Sequence, residues 1–268
     1  MTKFQYTEVK VGADPELFLY DRKVKTFFSA VGLIGGTKDQ PVSIDDKGHS
    51  LQEDNVAVEF CIPPASSEKA FVDSIHYVLD HLKERVEPRF ELSIVPSAAF
   101  KSSQLRAMQA QVVNCRPDYH AWTLAINEFK RSKKNANLRT AGGHIHVGYA
   151  NPDADNQVNM IRAMDLFIGV PSVILDSDTK RRELYGKAGA FRPKPYGVEF
   201  RTPSNFWIKT RELTSWAYQN THKAVKFLNE GNTVEGDLGQ RIQETINQND
   251  LDGARSICKE FKLLPASA

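Results

Sequence analysis

The chain has 268 residues, of which 41% are hydrophobic and 25% charged. That apolar share suffices for one large core or two smaller ones and excludes a disordered chain, while 35 basic against 33 acidic residues, a net charge of +2, give no global field for nucleic acid or a membrane surface. Cys61, Cys115 and Cys258 are odd in number and lack C-x-x-C spacing, which gives no disulfide or zinc framework and fits a reducing compartment. Residues 1–6 hold no apolar signal core, and no apolar run approaches the roughly 18 to 20 residues of a membrane span, so a cytoplasmic enzyme is expected. A first strand is expected over about residues 8–20, then turns at Gly32, Gly35-Gly36 and Asp45-Asp46-Lys47-Gly48, then a strand over 54–62 ended by Pro63-Pro64. Ser66-Ser67-Glu68 opens an amphipathic helix whose apolar positions Phe71, Ile75, Val78, Leu79, Leu82 and Val86 recur at helical spacing until Pro88. A strand over 92–95 follows. The pattern weakens over 96–142, with Lys130-Arg131-Ser132-Lys133-Lys134 read as an exposed basic loop. Beyond lie a histidine-bearing strand, a helix over 155–175 interrupted near Pro171, a strand at Glu199, a helix over 209–228 ending at Gly231, and two short helices from Leu238 onward. Without repeats or low-complexity linkers, the alternation predicts one continuous α+β unit over 1–268, with 232–268 as a helical C-terminal extension.

Four stretches alternate polar and apolar residues with period two: Asp14-Pro15-Glu16-Leu17-Phe18-Leu19, Asn55-Val56-Ala57-Val58-Glu59-Phe60, Gly143-His144-Ile145-His146-Val147 and Val198-Glu199-Phe200-Arg201. Strand side chains alternate between faces, so Asp14 with Glu16, His144 with His146, and Glu199 with Arg201 each share a face opposite Leu17, Leu19, Val56, Val58, Ile145, Val147, Val198 and Phe200. One acid alone reads as a solvated surface residue. Asp14, Glu16, Asp54, Glu59 and Glu199 together in one partly dry trough would repel, and divalent cations remove that conflict. Oxygen-rich ligation with one or two imidazoles suits Mg²⁺ or Mn²⁺ better than zinc. Gly142-Gly143 lets backbone or ligand approach the histidine strand closely. A cationic group, Arg181, Arg182, Lys187, Arg192 and Arg201, lies in a stretch with Gly186 and Gly189 and suits a phosphate clamp, or an exposed basic hairpin. No P-loop or dinucleotide fingerprint occurs.

Taken in order, Gly12-Ala13-Asp14-Pro15-Glu16-Leu17-Phe18-Leu19-Tyr20-Asp21, Glu59, Gly142-Gly143-His144-Ile145-His146 and Gly197-Val198-Glu199-Phe200-Arg201-Thr202-Pro203 resemble the motifs of the glutamine synthetase superfamily. Arg182-Glu183-Leu184-Tyr185-Gly186-Lys187-Ala188-Gly189 and Ser204-Asn205-Phe206-Trp207 are similar to its short phage-type carboxylate-amine (COOH-NH2) ligases, type 2. The resemblance runs from Gly12 to Trp207. It implies an α+β, glutamine synthetase-like catalytic fold: a curved, largely antiparallel sheet with a metal-lined polar face and helices on the apolar face. It also implies two Mg²⁺ (or Mn²⁺) ions and ATP. Asp14 and Glu16 would each serve one metal, Asp14 standing where the family more usually has Glu. Glu59, assisted by Asp54, would complete the first metal, and His144 with Glu199 the second. His146 would be a neighbouring nucleotide or substrate contact. Arg201 would stabilise the transferring phosphoryl group, with Arg192, Arg182 and Lys187 as further phosphate or nucleotide contacts. The implied reaction joins a small-molecule or peptide carboxylate to an amine through an acyl phosphate, releasing ADP, in the host cytoplasm if the gene is a phage's. The family's amine-binding and proton-removing elements find no match. Pockets for the two substrates are expected near 114–119 and Arg139; a homo-oligomer is left open. Two other classes also stay open: another two-metal phosphoryl-transfer enzyme or phosphohydrolase on a related fold, and a non-catalytic binding protein.

Overall fold

The computed structural model describes residues 4–111, 118–127, 135–176 and 179–266. Period-two alternation at the start of the chain becomes the long strand β1 (Lys10–Asp21), followed by β2 (Thr26–Phe28), β3 (Val42–Ser43), β4 (Ser50–Asp54), β5 (Ala57–Ala65), α1 (Glu68–Arg85), β6 (Phe90–Ser93), β7 (Ser97–Ala99), α2 (Met108–Gln111), β8 (Tyr119–His120), β9 (Leu138–Thr140) and β10 (Gly143–Gly148). The second part contains α3 (Ala154–Met164), α4 (Val170–Leu175), α5 (Lys180–Leu184), β11 (Ala190–Lys194), β12 (Gly197–Phe200), α6 (Arg211–Asn229), α7 (Gly236–Gln248) and α8 (Leu251–Phe261). The architecture is α+β. Among the described residues, ten strands form one sheet in the order β3-β4-β5-β1-β10-β12-β11-β8, with β2 and β6 also paired to β1, and every pairing is antiparallel.

One face of this sheet is the core. Leu17, Leu19, Val58, Phe60, Ile145, Val147, Val198 and Phe200 are fully buried there, under helices α1 on β5, α3 on β11 and β12, and α6 against both α1 and α3. Helix α1 starts where the sequence predicts, because the Ser67 side chain accepts the Ala70 N–H and satisfies one of the free donors of the first turn. The C-terminal helices join the same apolar cluster through Ile242, Ile246, Ala254, Ile257 and Cys258.

Several expectations are corrected. The strand expected over 54–62 is a hairpin: Asp54 ends β4, Asn55 turns in the left-handed region (φ 56°), and β5 begins at Ala57. Val56 therefore leaves the sheet's apolar face and packs in a second cluster with Phe18 and Phe100. Pro63-Pro64 does not end β5; the strand continues to Ala65 because β4 stops pairing at Cys61, so no neighbour on that side asks for the missing N–H groups. The strand expected over 92–95 is β6, which begins at Phe90. The helix break expected near Pro171 is a π-helical turn at Asp165–Gly169, where the Val170 N–H reaches the Asp165 carbonyl. The continuous helical stretch Ala154–Leu175 is 22 residues long and apolar enough to span a membrane by length and composition, contrary to the expectation of no such run; 72% of its most apolar window is buried inside the protein, and core packing accounts for its apolarity. The basic loop 130–134 and Cys115 lie outside the described residues.

Candidate active site

The opposite face of the sheet gathers the acids. Register places Glu59 beside Glu16 and Gln52 beside Glu59, while Asp14 faces His144, and His146 stands between Gly12 and Glu199 with Arg192 beyond. Two sets of donor atoms result, each mutually within 4.8 Å: Glu16, Asp54 and Glu59 in one, Asp14, His146 and Glu199 in the other. His144 Nδ1 lies 3.3 Å from Asp14 Oδ1 and 3.7 Å from Glu199 Oε1, at the edge of the second set. His146, expected only as a neighbouring contact, is thus a member of that set, with Nε2 3.1 Å from Asp14 Oδ1.

Backbone chemistry explains the close assembly. A Cβ on Gly143 would stand 2.2 Å from the Ser204 carbonyl oxygen and 2.6 Å from Trp207 Nε1, which donates to the Gly143 carbonyl at 3.0 Å. Gly142 donates its N–H to Glu16 Oε2 at 2.8 Å, and a Cβ there would enter the His144 ring. The paired glycines therefore let the histidine strand enter beneath Trp207 and fix Glu16.

The electrostatics separate the two sets. Burial, then the Asp54 charge, push Glu16 up to about 7, and burial, then Asp14, push Glu59 well above the usual carboxylate range. Gln52 Nε2 donates to Glu59 Oε2 at 2.5 Å. Glu199, although wholly buried, is held down at about 2: burial and the Asp14 charge oppose ionisation, and Arg201 with the histidines outweigh them. Arg192 donates to both Glu199 oxygens at 2.9 Å, Lys194 Nζ lies 2.7 Å from Oε2, and Arg201 contacts Oε1. Asp14 is also held low, burial being overcome chiefly by His146. Burial and the Arg201 cation lower His144 to about 4, so its imidazole is neutral at pH 7.

These residues fit divalent cations. Asp14 Oδ1, His144 Nδ1 and His146 Nε2 are buried, converge, and make no aligned hydrogen bond among the described residues, an arrangement that a shared cation would satisfy. The all-carboxylate first set suits a hard cation.

The cationic constellation divides. Arg192 and Arg201 join the acid face; Arg201 Nε also lies 3.2 Å from Asp118 Oδ1, with its guanidinium 5.4 Å over the Tyr185 ring. Arg181 is buried and donates to the Thr202 and Arg201 carbonyls at 2.7 and 3.2 Å, and Gly186 is glycine because a Cβ would meet that guanidinium. Arg182 donates to Ser172 Oγ at 2.7 Å and Asn249 Oδ1 at 2.8 Å, and Lys187 to the Asn247 carbonyl at 3.1 Å. Their contacts tie the α5 region to the C-terminal helices, and Gly189 lies against Trp122. Arg139, near which a substrate pocket was expected, is buried and donates to Ala110, Ala136 and Leu138 carbonyls and to Asn55 Oδ1. Residues 114–117 lie outside the described residues, and Asp118 is the anchor of Arg201.

Sequence reasoning missed Lys38, Gln52, Tyr185, Lys194 and Tyr196 at this site. Lys194 was within reach, since Arg192-Pro193-Lys194 carries the same alternation as the chosen strands. Tyr196 lies in a hairpin turn, where no period operates; its hydroxyl and His146 Nδ1 share a hydrogen bond of 2.5 Å, and the two rings stack.

Comparison with known proteins gives one family match: residues 133–230 match the family described as phage phiEco32-like COOH.NH2 ligase-type 2. This stretch includes His144, His146, Arg192, Glu199 and Arg201 and leaves out β1 and β5. No curated protein matches the chain. Among solved structures, a bifunctional glutathione synthetase from Pasteurella multocida is 8% identical with a TM-score of 0.45, over 95% of this chain and 49% of that one. A structure described as a novel glutamine synthase homolog is 12% identical with a TM-score of 0.40, over 94% of this chain and 66% of that one. The chain thus spans about half the length of the glutathione synthetase.

Proposed function

We propose that the chain is an ATP- and Mg²⁺-dependent carboxylate-amine ligase that forms an amide or isopeptide bond through an acyl phosphate. The observation that carries this reading is the pair of three-donor sets on one sheet face, bordered by Arg192, Lys194 and Arg201. The family match over 133–230 points the same way. We read residues 1–268 as one ligase unit with 232–268 as its helical extension.

Glu16, Asp54 and Glu59 would hold one ion, and Asp14, His146 and Glu199 the other, with His144 alongside. Bound there, Mg²⁺ or Mn²⁺ would neutralise phosphate charge and align the carboxylate donor with the γ-phosphorus. His146 would serve this role in the tautomer whose Nδ1–H is donated to the Tyr196 oxygen, which would leave the Nε2 lone pair toward Asp14 and Glu199. Arg201, steadied by Asp118 and Tyr185, offers a planar fork to the transferring phosphoryl group. Arg192 and Lys194 pair with the Glu199 carboxylate at 2.9 and 2.7 Å and add positive charge to the rim of the site. The donor carboxylate oxygen bonds to the γ-phosphorus as ADP leaves. The amine then bonds to the acyl carbon, phosphate leaves with the C–O electron pair, and the amine loses a proton.

The test is incubation of the purified protein with ATP, Mg²⁺ and pools of carboxylates, with hydroxylamine as the amine. Equimolar ADP and hydroxamate are expected. AMP formation, or phosphate release without hydroxamate from any pool, would overturn the reading; the second outcome favours a phosphohydrolase.

A further inference from the structure

The loop between β2 and β3 is pinned along the β4 edge of the sheet, where the Glu53 N–H donates to the Gly36 carbonyl at 3.3 Å. The Glu53 carboxylate accepts the N–H groups of Gly32 at 3.0 Å, Ile34 at 3.1 Å and Gly35 at 2.7 Å. Gly36 has φ +80°, and a Cβ there would stand 2.7 Å from the Leu51 carbonyl oxygen. Thr37 and Gln40 exchange backbone hydrogen bonds of 3.0 and 3.1 Å. Lys38 stands within this closed turn, its Nζ 3.7 Å from Asp54 Oδ2 and its side chain half exposed. Burial works against its charge, and the charges of Glu59, Asp54, Glu16 and Asp14, in that order, prevail and raise its pKa. The loop thereby aims one ammonium at the mouth of the first donor set.

We infer that Lys38 is a tethered counter-ion for the Glu16, Asp54 and Glu59 set, occupying its mouth when no divalent cation is bound and withdrawing when one enters, so that it sets the affinity of that site. The inference rests on reading this set as a metal site. A single positive charge only partly offsets three crowded carboxylates, so a divalent ion can displace it, and a half-exposed four-carbon stem can leave without disturbing the pinned backbone. The displaced attraction is subtracted from metal affinity.

Titration calorimetry with Mn²⁺ alone tests this on the full chain, using the parent, Lys38→Met, Lys38→Arg and Glu16→Gln. Lys38→Met keeps the stem and removes the charge, and should bind Mn²⁺ at the Glu16-dependent site about tenfold more tightly, the scale of one lost close ion pair. Lys38→Arg should match the parent. If Lys38→Met binds Mn²⁺ equally or more weakly while the parent shows a Glu16-dependent site, the counter-ion role is wrong and the metal site stands. If the parent shows no Mn²⁺ uptake that Glu16→Gln removes, the metal reading fails and takes the counter-ion role with it.

Discussion

Glu16→Gln and Glu199→Gln each delete one carboxylate charge from the same sheet face, yet they should move stability in opposite directions. Glu16 lies beside Glu59 and near Asp54, and burial with the Asp54 charge raises it to about 7 from 4.5. An acid whose folded pKa lies above its unfolded value costs nothing below the lower value, costs progressively more up to the higher one, and carries a constant cost beyond. The gap between 4.5 and about 7 sets a ceiling of about 3 kcal/mol, and partial solvation of Glu16 reduces the expectation to about 1–2 kcal/mol. Glutamine keeps an acceptor for the Gly142 N–H and removes the charge. Metal-free Glu16→Gln should therefore be more stable than the parent at pH 8 and equal to it near pH 4.5. Glu199 is the reverse case. It is buried against Arg192, Lys194 and Arg201, and its depressed pKa means that its stabilisation is present above 4.5 and fades as pH falls toward about 2. Glu199→Gln leaves those cations without their carboxylate and should cost about 3–5 kcal/mol at pH 8. Urea unfolding in the presence of a chelator, at pH 8 and pH 5, reads both effects, and repetition with Mg²⁺ should stabilise the parent far more than either variant. A Glu16→Gln protein less stable than the parent at pH 8 in chelator would refute the like-charge account of this set.

Arg201→Lys keeps the charge but loses the planar fork, and should lower kcat by about tenfold or more with little change in ATP affinity; single-turnover ADP formation equal to the parent's would remove Arg201 from the chemical step. Tyr196→Phe deletes the 2.5 Å hydrogen bond to His146 Nδ1 and should weaken Mn²⁺ binding at the second set by about tenfold; an unchanged calorimetric affinity would show that His146 is oriented by other means. Gly143→Ala forces a methyl to within 2.2 Å of the Ser204 carbonyl and should destabilise the chain by about 3 kcal/mol or more in urea; a loss below about 1 kcal/mol would mean that the strand entrance yields.

Much of this molecule is determined locally. The alternation of Asp14 and Glu16 with Leu17 and Leu19, and of His144 and His146 with Ile145 and Val147, assigns each side chain to a face because strand geometry has period two wherever the strand lies in the sheet. The Ser67 cap and the spacing from Phe71 to Leu82 likewise define α1 from within the segment. Partnership is another matter. That Asp14 faces His144, that His146 rather than His144 completes the set with Asp14 and Glu199, and that Asp54 and Glu59 meet across a hairpin all follow from register, which is fixed by contacts between distant segments. The basic run misled for the same reason: Arg181 and Arg182 read as exposed or phosphate-binding until the Gly186 turn, Ser172 and Asn249 close around them. Lys38 carried no periodic signal at all, since its position over the acids depends on Glu53 holding a loop 18 to 21 residues away in sequence. Sequence alone determined which side chains share a face within β1, β10 and β12, while the Asn55 turn moved Val56 off the face its alternation assigned; tertiary structure decided which acids crowd together and which cations reach them, because charge interactions fall off with distance in space and are indifferent to separation along the chain.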